Sequence, residues 1–109
     1  MGFAILFQSV NSSSSVTGTY LGEALSTAGT TFDISSYSEL LIVNVGSTSL
    51  KMAHGSLRIP KALLISEFNA GRLTATYLNF GTITAISSSS ITIKGSGESA
   101  YGVLVYGLN

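Results

Sequence analysis

The sequence is poor in charge. Lysine, arginine, aspartate and glutamate make up 9% of the 109 residues, five basic against five acidic, where about 25% is usual. Three kinds of chain carry so little charge: membrane spans, disordered low-complexity chains, and domains covered by neutral polar groups. Long apolar runs are missing too. A stretch such as Leu40-Leu41-Ile42-Val43 is far short of the ~18 to 20 residues that cross a bilayer as a helix, so no membrane insertion is expected. Disorder requires low hydrophobicity or high net charge, and here 45% of residues are hydrophobic and the net charge is zero. The remaining reading is a surface of serine, threonine and glycine. A neutral surface does little to keep copies apart, so the missing charge is read as a sign of interface; the competing reading is a monomer with a neutral polar skin.

Cysteine is absent, which excludes a disulfide framework and a thiolate zinc site. The first seven residues are apolar but have no basic leader and fall short of a secretory core. Leu6 breaks the myristoylation pattern. No signal peptide is therefore expected. Asn11-Ser12-Ser13 matches a glycosylation sequon, as chance allows where serine is this frequent. The length suits one domain over residues 1–109.

What is present is alternation. Apolar residues recur at every second position rather than at helical spacing. A first strand is expected over residues 3–8, with Phe3, Ile5 and Phe7 on one face, and a polar break over 11–15. A second strand over 16–21 is followed by a loop to 29, then a third over 30–34 with Phe32 and Ile34 on one side. Ser35-Ser36-Tyr37-Ser38 reads as a turn. Residues 39–45 are the strongest strand, apolar on both faces and so central in a sheet. Its hairpin partner is expected at 49–53, with a further strand at 56–59 ended by Pro60, the single proline. Residues 61–68 suit either a short helical turn or an extended segment. After the turn Asn69-Ala70-Gly71, strands are expected over 72–80, 82–86, 91–95 and 100–108, with serine tracts acting as tight loops or strand edges. Eight to ten short antiparallel strands without a long helix predict an all-β fold, a β-sandwich or jelly roll, with a closed barrel as the alternative.

The stock of catalytic groups is small. His54 is the single histidine and Asp33 the single aspartate, so a Ser-His-Asp site would have to use both. Gly95-Ser96-Gly97 lacks the spacing of a nucleophile elbow, and His54 reads more simply as a turn residue beside Gly55. Glu23, Glu39, Glu67 and Glu98 lie in separate segments, with nothing to set two of them across a cleft as glycosidase chemistry requires. Asp33 stands alone, so no metal site is expected. No glycine-rich phosphate loop is present, and no cofactor is expected. Lys51, Arg58, Lys61, Arg72 and Lys94 are balanced by acids, so no nucleic-acid-binding stripe is expected. Lys51, Arg58 and Lys61 read as a solvated or intersubunit face. The chain is expected not to be an enzyme; a small hydrolase built on His54 is the weakest of the readings.

Of the tyrosines at 20, 37, 77, 101 and 106, the amphipathic rings suit sugar stacking or interface anchoring. Tyr37, in a turn, is expected to be the most exposed. Tyr37, Tyr20 and Tyr101 are the candidate ligand or receptor contacts.

Thr30 to Val45, Thr-Thr-Phe-Asp-Ile-Ser-Ser-Tyr-Ser-Glu-Leu-Leu-Ile-Val-Asn-Val, resembles the C-terminal β-sandwich domains of bacteriophage fibre and virion-surface proteins, in which a strand ending in Ile leads through a Ser/Tyr turn to an acidic residue and an aliphatic strand. Leu57-Arg58-Ile59-Pro60 and the closing Ala100-Tyr101-Gly102-Val103-Leu104-Val105-Tyr106-Gly107 look similar to the same group, so the resemblance extends over about two thirds of the chain. It implies trimeric knobs that bind host surfaces or decorate a capsid. Unlike a typical fibre of that group, the chain is expected to have no shaft segment before the sandwich, and a self-standing subunit is therefore expected: a decoration, head-fibre or tail-tip protein. The expected partners are copies of the chain, most simply as a homotrimer, other virion proteins and a host surface glycan. The expected location is the virion surface, after synthesis in the host cytoplasm. A small carbohydrate-binding, lectin-like module is the alternative.

Overall fold

A computed structural model describes residues 17–46, 52–73, 81–97 and 101–109. These contain β1 (Gly18–Ala24), β2 (Thr30–Asp33), β3 (Glu39–Gly46), β4 (Ala53–Pro60), α1 (Lys61–Asn69), β5 (Gly81–Ile86), β6 (Ser90–Gly95) and β7 (Tyr101–Leu108). The strands form a four-stranded sheet in the order β1-β7-β3-β4 and a three-stranded sheet in the order β2-β6-β5. Every pairing is antiparallel. The protein has an all-β, sandwich-like fold.

The core lies between the two sheets. Ala24, Leu40, Ile42, Ile59, Val103 and Val105 enter it from the four-stranded sheet, and Phe32, Ile83, Ile91 and Ile93 from the three-stranded one. Full burial of side chains this size stabilises by about 1.5 to 3 kcal/mol each. Alternation decides which residues do so: in β7, Val103 and Val105 are buried while Leu104 and Tyr106, which alternate with them, are half-exposed.

The expected central strand is β3, flanked by β7 and β4. Its hairpin partner differs from expectation. Among the described residues it is the whole of β4, residues 53–60, and residues 49–51 of the expected partner lie outside the described residues. A β-bulge merges the expected pieces, because Asn44 pairs with Gly55 and Val45 with Ala53, leaving His54 as the extra residue. The second expected strand is displaced to residues 18–24, with a bulge at Leu21. The expected strand over residues 3–8 and the break after it lie outside the described residues, as do residues 74–80 of the expected strand at 72–80.

Residues 61–69 are helical. Pro60 occupies the N-cap position with φ −56° and ψ 135°, a conformation its ring favours and which leads the chain from β4 into the first helical turn. Leu64 is the residue of α1 that is fully buried. The helix stops where Gly71 adopts φ +78° and its amide donates to the Phe68 carbonyl at 3.0 Å. The amides of Arg72 and Leu73 both donate to the Glu67 carbonyl. These two residues therefore close the helix rather than begin a strand, because they donate to a carbonyl that the last turn leaves unpaired.

The turn at 34–38 ties four elements together. Ile34 donates to the Ser89 carbonyl at 2.9 Å, Ser38 to Leu108 at 3.2 Å, and Lys61 to Ser38 at 2.9 Å. The serine tract 87–90 is a tight hairpin loop. Ser87 Oγ accepts from the amides of Ser89 and Ser90, each at 3.2 Å, and the Ser87 amide donates to the Ser90 carbonyl at 2.8 Å. The other serine tract lies outside the described residues.

Candidate functional site

The three candidate tyrosines do not converge. Tyr20 lies on β1 and is 56% exposed. Its ring meets that of Tyr106, its partner in the β1–β7 register, at 5.4 Å between centroids and 52° between planes. Tyr37 is only half-buried rather than the most exposed, because its ring lies against Gly107 of β7. Tyr101 stands at the other end of β7, on the side of Val103 and Val105 and half-buried. Five residues, about 17 Å of strand, separate it from Tyr106. Tyr77 lies outside the described residues.

The residues weighed for catalysis are each engaged locally. The ring Nε2 of His54 meets the Gly46 carbonyl oxygen across the bulge. Asp33, in the other sheet, accepts at Oδ1 from the Ser35 amide at 3.0 Å and from the Ser35 hydroxyl at 2.7 Å. These two bonds, the hydroxyl first, hold the Asp33 carboxyl below its ordinary range, with a smaller contribution from Lys61. Glu39 pairs with Arg58 at 2.9 Å. Glu67 accepts from Arg72 Nε at 3.0 Å, which lowers the carboxyl and raises the guanidinium. Glu98 and Lys51 lie outside the described residues. Among those described, no three histidine, aspartate or glutamate side chains gather as a metal site would need, and no helix is long and apolar enough to cross a membrane.

The basic residues expected to share one face are dispersed. Arg58 lies on the outer side of β4, whereas the Lys61 ammonium reaches across to the carbonyl oxygens of Ile34 at 3.0 Å and Ser88 at 2.6 Å. Lys61 thus acts as a latch between α1 and the serine hairpin.

A different feature stands out on the side of the four-stranded sheet turned away from the core. The register sets Tyr20, Tyr106, Leu41 and Arg58 in one row across the sheet and Glu23, Leu104, Val43 and Ser56 in the next. Leu41, Val43, Leu104 and Tyr106 are half-exposed and Tyr20 is exposed, while Val45 and Leu108 at the ends of the strip are buried. The three-stranded sheet and α1 send their buried side chains to the opposite side. An antiparallel sheet with one solvated face normally alternates apolar and polar residues, and the two central strands here do not. The signal was legible as the unbroken Leu40-Leu41-Ile42-Val43 run; which half of it faces outward was not.

Comparison with protein-family models, with characterised proteins and with solved structures finds no match to this chain.

Proposed function

We propose that this chain is a structural subunit of a bacteriophage particle, a capsid decoration, head-fibre or tail-tip and fibre-knob protein that works at the virion surface through assembly with its own copies. The observation that carries the assembly reading is the outward apolar strip of Tyr20, Leu41, Val43, Leu104 and Tyr106 on a sheet whose other side already forms the core. A strip of this kind on a chain with zero net charge favours burial against protein rather than solvation. The particle reading rests on the resemblance of residues 30–45, 57–60 and 100–107 to phage virion-surface sandwiches, which also suggests three copies, contact with other virion proteins and attachment to a host surface glycan. Light scattering tests the assembly, with a trimer mass expected at micromolar concentration. Immunolabelling of purified particles tests the location. A monomer mass together with unlabelled particles would overturn the proposal.

The tilted Tyr20–Tyr106 ring pair favours one second reading, a carbohydrate-binding module in which the exposed ring stacks on a sugar. A glycan array with a hit abolished by Tyr20→Ala would establish it; an array with no hit, and cell binding unchanged by Tyr37→Ala and Tyr20→Ala, would exclude it.

A further inference from the structure

We draw no further inference here: the strongest candidate, the apolar strip of Tyr20, Leu41, Val43, Leu104 and Tyr106 on the outer face of the four-stranded sheet, carries nothing beyond the assembly reading because nothing in the structure shows what covers it.

Discussion

The ring of Tyr37 packs directly against Gly107. A Cβ built on Gly107 would sit 2.3 Å from the ring Cγ and 2.4 Å from Cδ2, well inside any allowed contact. The position of the 34–38 turn therefore depends on a glycine 70 residues further along the chain. Because the Ser38 amide also bonds the Leu108 carbonyl, turn and strand are joined by a ring contact and a hydrogen bond side by side.

Gly107→Ala is expected to destabilise the protein by about 2 kcal/mol or more, as overpacking does where the neighbour cannot move freely. Tyr37→Ala should also destabilise, through the contact it removes. The double variant should be more stable than the sum of the two single effects implies, because the clash disappears with the ring. Urea unfolding of the four proteins measures this; strict additivity would show that ring and glycine do not meet.

Removing the Lys61 ammonium leaves the Ile34 and Ser88 carbonyls without their donor. Lys61→Met keeps the aliphatic stem and should cost about 1 to 3 kcal/mol, the range for hydrogen bonds from a charged group. Amide exchange should rise first in the serine loop at 87–90. An unchanged urea midpoint would mean that water replaces the ammonium at no loss.

Leu63 and Leu64 are adjacent in α1 and should respond in opposite ways. Leu64 is completely buried in the core cluster and Leu63 is 50% exposed. Leu64→Ala should cost about 2 to 5 kcal/mol, and Leu63→Ala no more than about 0.5 kcal/mol. Equal effects would mean that the helix presents another face to the sheets.

The Asp33 and Glu67 carboxyls are both held below their ordinary range, Asp33 chiefly by the Ser35 hydroxyl and Glu67 chiefly by Arg72. A carboxyl with a lower pKa in the folded state stabilises it in full above the unfolded value, about 4. That contribution is lost as the pH falls through the lowered folded value. Stability should therefore be flat on this account from pH 7 to 5 and decline below about pH 4. Asp33→Asn combined with Glu67→Gln should shallow that decline, as followed by thermal melts across the acid range. An identical acid limb in the double variant would assign the loss to other groups.

The all-β character, the central position of residues 39–46 and the turns at 35–38, 69–71 and 87–90 were legible in the sequence, because each depends on neighbours in the chain. Two-residue alternation needs only a sheet with one buried side, and turn residues act through their own dihedral angles. The double-sided apolar run at Leu40 to Val43 likewise announced a strand with something to bury on both faces. Bulges were not legible: His54 and Leu21 become extra residues only because a partner strand pairs around them. The helix at 61–69 was ambiguous for a related reason, since packing of Leu64 into the core cluster decides it and local preference does not. The candidate tyrosines show the same division. Sequence marked them as amphipathic rings, but whether a ring lies on a distant glycine, pairs with another ring or closes the end of a strand depends on residues many tens of positions away. Only the tertiary structure supplies those neighbours, because strand order and register bring them together.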